Sequence, residues 1–279
     1  MYLNKKIAII LFAYNRPSHL RRVLIALEDY KIKNPIYLFL DGPKNKKDKI
    51  IQKEITFMVK TNKNLNIKFF YYKKNIGIAK SVFRGIDKIS SRFKHIIILE
   101  DDTIPRKEFF NYTFSIIKKN YSNEIAAICG YQLPEIHSKY RKVINVLVFD
   151  NFIPWGWSIK SRDWKDFRKN YKKERKKKNN IKLSKLLNLL INKVSNKKNI
   201  WSLDFMIYNF LNKKKYIFPT KSLIKNIGFD GSGINSKITD RFNTYYTKST
   251  NINVGSYKKY NNLINKQNNI LEKVFSFFY

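Results

Sequence analysis

The first hundred residues alternate between short apolar runs and longer amphipathic segments. The apolar runs are rich in β-branched and aromatic residues, which predicts buried strands over residues 6–12, 36–40, 67–72 and 95–99. The segments between them space their apolar residues as a helix does, which predicts helices over 20–30, up to residue 62 and over 79–90. This alternation indicates an α/β fold with a mainly parallel, Rossmann-type sheet and helices on both faces.

Beyond residue 103 the alternation weakens, although helices are predicted over 109–120 and 201–211 and a strand over 125–130. Residues 168–198 are strongly basic, and apolar residues recur there at helical spacing: Leu183, Leu186, Leu187, Leu190, Ile191 and Val194. One interpretation is a basic amphipathic helix that rests on anionic lipid. The alternative is a leucine face packed on the domain with a solvated lysine face.

The chain of 279 residues has 57 Lys and Arg against 20 Asp and Glu, a formal net charge of +37. Such a charge points to nucleic acid or to an anionic membrane surface. Compositional bias is the alternative, because Lys, Asn and Ile are abundant together, as in proteins of AT-rich genomes. No recognisable nucleic-acid-binding module accompanies the charge, so nucleic acid is not the expected partner.

Composition also narrows the class of protein. A hydrophobic content of 43% excludes a disordered chain, and the single cysteine, Cys129, excludes a disulfide framework or a cysteine-rich zinc site. The apolar run 7–13 is shorter than the roughly 20 residues that span a bilayer. No typical signal-peptide cleavage site follows that run. We therefore expect a cytoplasmic protein, or one on the inner face of the cytoplasmic membrane.

Polar side chains follow the ends of the first four predicted strands, where parallel sheets bind ligands. These residues are Tyr14, Asn15 and Arg16, then Asp41 and Gly42, then Asn75 and Gly77, and finally Glu100, Asp101 and Asp102. The three adjacent acids repel one another and lose hydration, which is costly without a cation. Mg²⁺ or Mn²⁺ would offset that cost and leave positions open for phosphate oxygens. The alternative is a solvated loop in which Asp102 or Thr103 caps the next helix.

Cationic side chains can approach the same edge of the sheet, namely Arg16, Lys80 and Arg84. A metal ion beside such cations suits a leaving nucleotide diphosphate, because the ion bridges the phosphates and offsets their charge. Asp41 is placed to accept a hydrogen bond from a base or ribose. The alternatives are a plain turn at residues 41–43 and a surface cation at Arg16.

Six motifs together resemble those of glycosyltransferases with the GT-A fold, above all bacterial family-2-like sugar transferases. They are Phe12–Pro17, Asp41–Gly42, Asn75–Ala79, Glu100–Asp102, Trp155–Trp157 and Asn226–Phe229. A more distant resemblance is to the N-acetylglucosaminyltransferases that start branches on N-glycans. The resemblance covers about residues 6–235. It implies a GT-A domain over 1–250, with a nucleotide-binding half (1–103), an acceptor-binding half (104–250) and a basic tail (251–279).

The resemblance implies a hexosyl- or N-acetylhexosaminyltransferase that uses a nucleotide-sugar donor, such as a UDP-sugar, with Mn²⁺ or Mg²⁺. The acceptor would be a glycan or lipid-linked glycan of lipopolysaccharide, lipooligosaccharide or capsule. Carried over by residue, it implies Asp102 as the metal ligand, Asp101 at the ribose or a metal-bound water, Asp41 and Asn75 at the base, and Arg16 and Lys80 at the nucleotide or its phosphates.

Inversion at the anomeric carbon, also implied, needs one carboxylate to deprotonate the acceptor. Asp204 is the candidate, with Asp163 and Asp230 in reserve. In the proteins that this chain resembles, an acid often follows the tryptophan. This chain has Ser202 at that position.

The aromatic segment Trp155, Gly156 and Trp157 is the candidate acceptor platform, because tryptophan planes pack well on sugar rings. Alternate residues of a strand point to opposite sides, so one of the two tryptophans is expected to face the cleft. Core packing is the alternative for each. The Gly-rich turn 228–233 is interpreted as a mobile loop that closes over the donor, and His19, His95 and His137 as incidental.

Two rival functions remain at this stage. A sugar nucleotidyltransferase would have a glycine-rich loop after the first strand, where this chain has Ala13–Pro17. The other rival is a non-catalytic protein that binds polyanions or membranes.

Overall fold

The computed structural model describes residues 6–137, 144–177, 184–194, 200–233, 238–244, 252–258 and 261–278. Within them the strands are β1 (Ile7–Ala13), β2 (Ile36–Leu40), β3 (Ile67–Tyr71), β4 (His95–Glu100), β5 (Thr103–Pro105), β6 (Ile125–Cys129), β7 (Ile144–Phe149), β8 (Trp157–Lys160), β9 (Lys215–Pro219), β10 (Ile224–Asn226) and β11 (Ile252–Lys258). The helices are α1 (Pro17–Asp29), α2 (Lys46–Thr61), α3 (Ile78–Ser90), α4 (Lys107–Lys118), α5 (Pro134–His137), α6 (Ser161–Lys177), α7 (Lys185–Val194), α8 (Trp201–Leu211) and α9 (Asn261–Phe278).

The described strands form one large sheet in the order β11-β7-β9-β6-β8-β4-β1-β2-β3, with β5 and β10 as a separate antiparallel pair. The block from β4 to β3 is parallel, as are the pairs β6–β9 and β7–β11. The predicted α/β class and the mainly parallel sheet are therefore confirmed.

Strands β1 and β2 are buried along their whole length, as in a sheet covered by helices on both faces. Their continuous apolar sequence follows from this position, because neither face meets water. Helix α1 packs against α2, whereas α3 packs against β1, β4 and α6. Three phenylalanine rings pack in a row across β1, β2 and β3: Phe12 is tilted against Phe39 at 5.8 Å between centroids, and Phe39 stacks on Phe70 at 4.9 Å.

Strand β8 runs antiparallel between β4 and β6. Its first residue, Trp157, pairs with Ile98 near the end of β4 and with Cys129 at the end of β6. The start of β8 therefore lies at the same edge of the sheet as the carboxyl ends of β4 and β6. Residues that precede β8 are thereby brought to the edge where the predicted polar residues lie.

The leucines of the basic stretch face the interior. Leu186, Leu187 and Leu190 of α7 are buried in the core, so for them the packing interpretation is correct and the lipid-facing one is wrong. Leu183 lies outside the described residues. None of the helices in the described ranges is both long and apolar enough to cross a membrane.

The described part of the predicted tail belongs to the main domain. Strand β11 pairs in parallel with β7, and α9 packs against α5 and α7. Ile270 and Leu271 of α9 join the hydrophobic core. Residues 252–258 and 261–278 therefore complete the fold instead of forming a basic appendage.

Candidate functional site

A cavity of about 520 Å³ opens at the carboxyl ends of β1, β2 and β4. Its polar wall contains members of all four predicted groups: Tyr14, Asn15, Arg16, Asp41, Asn75, Gly77, Glu100, Asp101 and Asp102. The prediction that these residues meet at one edge of the sheet is correct. Residues from more distant segments, including Trp155, Phe229, Phe242 and Leu271, form the rest of the wall.

Arg16 joins two of the three clustered acids. Its Nη2 donates to Oδ1 of Asp101 and, at 2.8 Å, to Oδ2 of Asp102. Burial raises the pKa of Asp101 above its ordinary value, even though Arg16 acts in the opposite direction. Burial and the charges of its two acidic neighbours likewise raise the pKa of Glu100. One guanidinium therefore offsets only part of the negative charge that this wall can carry.

The turn that carries these acids is held by its own side chains and by a crossing segment. Thr103 Oγ1 accepts from Glu100 N at 2.8 Å and donates to Glu100 O at 3.0 Å. Ile227 N donates to Asp102 O at 2.9 Å. Helix α4 begins at Lys107 after Arg106 and has no side-chain cap, so the alternative in which Asp102 or Thr103 caps it is wrong.

Gly228 brings the backbone of the crossing segment against the Asp102 carboxylate. A Cβ at Gly228 would lie 2.2 Å from Asp102 Oδ2, closer than any side-chain atom can approach. Gly228 N also donates to Asn226 Oδ1 at 2.8 Å, which fixes the turn. The segment that follows β10 therefore covers one side of Asp102.

His19 of α1 contacts the same segment, which follows β10. Its Nε2 lies 3.1 Å from Asp230 Oδ2 and 3.2 Å from Ile227 O, and Ser232 Oγ donates to Asp230 Oδ1 at 2.6 Å. The interpretation of His19 as incidental is therefore wrong, and nothing in its sequence spacing points to residue 230. The contacts show that the predicted loop 228–233 is attached to α1 both at its base, through Ile227, and within the loop, through Asp230.

Asp41 accepts four hydrogen bonds from the chain around it. Oδ1 accepts from Gly42 N (2.8 Å) and Ile76 N (2.9 Å), and Oδ2 from Asn75 Nδ2 (3.1 Å) and Gly77 N (2.9 Å). These bonds use the acceptor positions that a nucleotide base would need. Asp41 and Asn75 line the cavity, but the Asp41 carboxylate positions the loop before α3, contrary to its predicted contact with the base.

Tyr14 is positioned by a network that the sequence did not reveal. Its hydroxyl donates to Asp48 Oδ2 at 2.5 Å, and Asn15 Nδ2 donates to Asp48 Oδ1 at 2.9 Å. These bonds keep the pKa of Asp48 below its ordinary value despite burial, which acts upward. Lys44 Nζ lies 5.6 Å from the centroid of the Tyr14 ring, and both residues line the cavity.

The first turn of α3 also borders the cavity. Gly77, with φ of +79°, precedes a helix that has no side-chain cap, and Ile78 and Ser81 line the wall. Lys80 in the same turn is exposed and does not line the cavity. The predicted phosphate contact of Lys80 is therefore not supported, because successive helix residues point about 100° apart.

The two tryptophans of the aromatic segment have different positions. Trp155 lines the cavity and makes edge-to-face contacts with Tyr131, Phe229 and Phe242 at 4.7 to 5.3 Å. Trp157 is fully buried and stacks on Trp201, with centroids 5.6 Å apart. Gly156 lies between them with φ of +66° and does not line the cavity. The expectation that one tryptophan faces the cleft is correct, and Gly156 and Trp157 have structural roles.

Asp204, the predicted base, is buried in the first turn of α8 and does not line the cavity. Ser202 and Met206 of that helix do. Asp204 lies about 200° around the helix axis from Ser202, so it faces elsewhere. Of the reserve candidates, Asp163 is 3.3 Å from Lys214 Nζ and Asp230 is paired with His19. None of the three is placed as a base for this cavity.

The donor groups of the protein fit a divalent ion that takes most of its coordinating oxygens from a bound phosphate and from water. Among the described residues, no group of three or more His, Cys, Asp or Glu side chains could hold a metal ion alone. Asp102 uses Oδ2 toward Arg16, and in the described part of the chain no protein donor contacts its Oδ1. Mg²⁺ binds in this manner, through one or two carboxylates together with phosphate oxygens and water.

Neither a scan against protein-family models nor a search of curated proteins finds a match for this chain. Among solved structures, the chain is similar to a mannosyltransferase from Pyrobaculum calidifontis in complex with GDP-Man and Mn²⁺ (10% identity, TM-score 0.41, 57% of this chain and 45% of that one). It is also similar to 4-diphosphocytidyl-2C-methyl-D-erythritol synthase from Anaerococcus prevotii (12%, 0.40, 79% and 90%). A third similarity is to glucosyl-3-phosphoglycerate synthase from Mycobacterium tuberculosis in complex with Mn²⁺, UDP and its product (10%, 0.32, 48% and 47%). The chain spans less than half the length of the mannosyltransferase and of the glucosyl-3-phosphoglycerate synthase. These identities and TM-scores do not place it in a family.

Proposed function

We propose that this chain is a metal-dependent glycosyltransferase that takes a sugar from a nucleotide-sugar donor. The observation that carries the proposal is the arrangement of Arg16, Asp101 and Asp102 in the wall of the cavity at the carboxyl ends of parallel strands. Ligands of α/β sheets bind at such crevices. The cavity volume of about 520 Å³ lies within the roughly 300–1,000 Å³ of small-molecule sites.

The polar wall offers positions for each part of a nucleoside diphosphate. The uncapped first turn of α3 presents backbone N–H groups and a positive dipole end, which favour phosphate. Lys44 adds a positive charge on the same wall. The Tyr14 ring, held by Asp48, offers a flat apolar surface on which a base can stack.

Asp102 would hold the divalent ion, which when bound offsets charge on the diphosphate as the bond to the sugar breaks. Arg16 keeps the Asp102 carboxylate in place and reduces the repulsion between Asp101 and Asp102. In the transfer itself, the bond from the anomeric carbon to the diphosphate oxygen breaks and a bond to an acceptor oxygen forms. The proton of the acceptor hydroxyl passes to water or to an oxygen of the departing diphosphate, because none of Asp204, Asp163 and Asp230 lines the cavity.

The aromatic part of the cavity lining supplies the acceptor side of this proposal. Trp155, Phe229 and Phe242 present aromatic surface, which suits the apolar face of a sugar ring. A UDP-linked donor, a surface-glycan acceptor and inversion belong to the same proposal and are supported by the sequence motifs. Asp204 has no part in it, because Asp204 does not line the cavity.

Thermal unfolding with a panel of nucleotide sugars, with and without Mn²⁺, tests the proposal. A donor at 100 times its dissociation constant stabilises the native state by about 2.7 kcal/mol, which raises the melting temperature by several degrees. We expect one donor class to do so only with Mn²⁺, and Asp102→Asn to abolish the shift. Asp29→Asn, an exposed acid at the end of α1, is the matched control and should respond as wild type does.

Product analysis separates the proposal from its nearest rival. A glycosyltransferase releases a nucleoside diphosphate from the donor, whereas a nucleotidyltransferase releases pyrophosphate from a nucleoside triphosphate and a sugar 1-phosphate. A wild-type chain that no nucleotide sugar stabilises with Mn²⁺ would contradict the proposal. NMR of the anomeric proton in the product decides between inversion and retention.

A further inference from the structure

Helix α2 presents apolar side chains to solvent between lysines. Phe57 is 70% exposed and Ile50 is 68% exposed, although both belong to residue types that are usually buried. The helix buries its opposite face through Asp48, Gln52, Ile55 and Val59. The exposed apolar residues therefore are not required by the packing of the domain.

Five of the exposed residues of α2 form one straight stripe, here called the outer stripe of α2: Lys46, Ile50, Lys53, Phe57 and Lys60. At 100° per residue these five positions fall within about 80° of one another. They lie opposite the buried face of the helix. The stripe has three positive charges and two apolar side chains, and it contains no acid.

The two acids of α2 do not neutralise the stripe. Asp48 is buried and accepts from Tyr14, Asn15 and the backbone. Glu54 lies 3.4 Å from Arg21 of α1, so its charge is paired toward the neighbouring helix. Lys49 is also exposed and adds to the positive charge beside the stripe.

We propose that the outer stripe of α2 binds the surface of an anionic lipid bilayer. A helix with lysines around exposed Phe and Ile matches the requirements of such a surface: the cations meet lipid phosphates while the apolar side chains enter the boundary of the acyl chains. An extended duplex or an acidic protein face would use the lysines but would leave Phe57 and Ile50 against polar groups. The lipid surface uses both kinds of side chain.

The stripe also differs from the basic region that the sequence favoured. The described leucines of α7 are buried and are not available to lipid. Helix α6 carries many lysines, but it has no exposed large apolar residue in its described part. The outer stripe of α2 combines both features on one face. This inference does not depend on the proposed transferase activity.

The position of α2 relative to the cavity adds a consequence. Lys44, just before the helix, lines the cavity, and Asp48 in its first turn binds Tyr14. A bilayer along the stripe would therefore lie beside the end of the helix that adjoins the cavity.

Co-sedimentation with vesicles tests the proposal. We expect the wild-type chain to bind vesicles that contain phosphatidylglycerol and to bind pure phosphatidylcholine weakly, with binding that falls as salt rises. Replacing Lys46, Lys53 and Lys60 by Gln should weaken partitioning on the order of 100-fold, at about five-fold for each lysine. Ile50→Ser with Phe57→Ser leaves the charge unchanged and should weaken it about ten-fold.

The matched control removes three exposed lysines from α6 instead: Lys165, Lys169 and Lys172, each replaced by Gln. These positions also share one helix face, so the two triple variants have the same net charge. The α6 variant should bind vesicles within a few-fold of wild type. All the replaced side chains are exposed, so thermal unfolding should confirm that each variant keeps its fold.

Three outcomes would overturn the proposal. The first is a wild-type chain that does not bind anionic vesicles, including one that binds an oligonucleotide through the same lysines. The second is an equal loss of vesicle binding in both triple variants, which would mean that binding depends on the net charge of the protein and not on the stripe. The third is full binding by the Ile50→Ser, Phe57→Ser variant. Donor-induced thermal shifts in the α2 variants should remain as in wild type, so the proposed activity is tested separately.

Discussion

Arg16 Nη2 lies 2.8 Å from Oδ2 of Asp102, although the two residues are 86 positions apart in the sequence. The same nitrogen also contacts Asp101. The contact exists because β1 and β4 are neighbours in the parallel sheet. The residues that follow their carboxyl ends therefore lie close together. It links the start of the chain to the acids that follow β4.

Arg16→Ala should destabilise the protein by about 3 kcal/mol, because it leaves two largely buried carboxylates without their cation. Arg16→Lys keeps the charge and should cost less. Urea unfolding in the presence of EDTA measures both. Adding Mn²⁺ should then stabilise Arg16→Ala more than wild type, since the unpaired carboxylates bind the ion more strongly. An Arg16→Ala variant as stable as wild type would contradict this account of the site.

Asp41→Asn should loosen the loop before α3. The variant has one acceptor oxygen where the carboxylate has two, and its amide N–H₂ faces N–H donors. We expect a loss of about 2–4 kcal/mol. Hydrogen exchange gives the specific readout, because the amides of Ile76 and Gly77 should lose protection while those of β1 keep theirs. Unchanged exchange at these two amides would show that the loop holds its conformation without Asp41.

Gly228→Ala should lower the free energy of unfolding, because the new Cβ would lie 2.2 Å from a carboxylate oxygen of Asp102. A double-mutant cycle with Asp102→Ala isolates this clash. The cost of Gly228→Ala in the wild-type background should exceed its cost in the Asp102→Ala background by about 1–3 kcal/mol, a typical coupling for residues in contact. Equal costs in both backgrounds would mean that the crossing segment does not press on Asp102.

His95 should make stability depend on pH below neutrality. Burial lowers its pKa to about 4 from the ordinary 6.5, and nearby Lys160, Arg162 and Lys94 add to the effect. The native state therefore binds fewer protons than the unfolded state between pH 6.5 and 4. The contribution is fully present above pH 6.5 and is lost as the pH falls toward 4.

His95→Gln removes this dependence. The free energy of unfolding of wild type minus that of the variant should be constant above pH 7 and should decrease steadily between pH 6.5 and 4. Urea unfolding at a series of pH values measures the difference, and the subtraction cancels the other titrating groups. A difference that stays level through this range would contradict a half-buried, neutral His95.

Trp155 and Trp157 should give opposite results when each is replaced by Ala. Trp157 is fully buried among Trp201, Phe152 and Phe205, so its loss should cost about 3–5 kcal/mol. Trp155 is partly exposed at the cavity, and its loss should cost less but should raise the KM for the acceptor under the proposed function. Denaturant unfolding and steady-state kinetics separate the two effects. Equal stability losses would mean that both rings serve the core.

The sequence predicted the parallel half of the fold because its strands and helices carry strong local patterns. The buried runs of β1, β2 and β4 and the polar residues after them required only the rule that parallel strands end at one edge. The positions of Lys80 and Asp204 could not be predicted in the same way. A motif or a place on a helix does not fix where a side chain points, because that direction depends on which face of the helix packs against the sheet.

Other parts of the site depend on contacts between distant segments. His19 meets Asp230, and Asp48 meets Tyr14, only after the sheet has formed. Leu271 reaches the cavity because α9 packs against α5 and α7. No local periodicity marks such residues. Their partners lie tens to hundreds of positions away, and only the tertiary structure brings them together.

The antiparallel placement of β8 gives the two walls of the cavity separate origins. The acidic wall comes from segments that leave β1, β2 and β4, whereas Trp155 belongs to the segment that enters β8. A change in the length or sequence of residues 150–156 would therefore alter the aromatic wall without disturbing the register of β4. Substitutions in residues 150–156 are therefore expected to change what the aromatic side of the cavity binds and to leave the acidic side as it is.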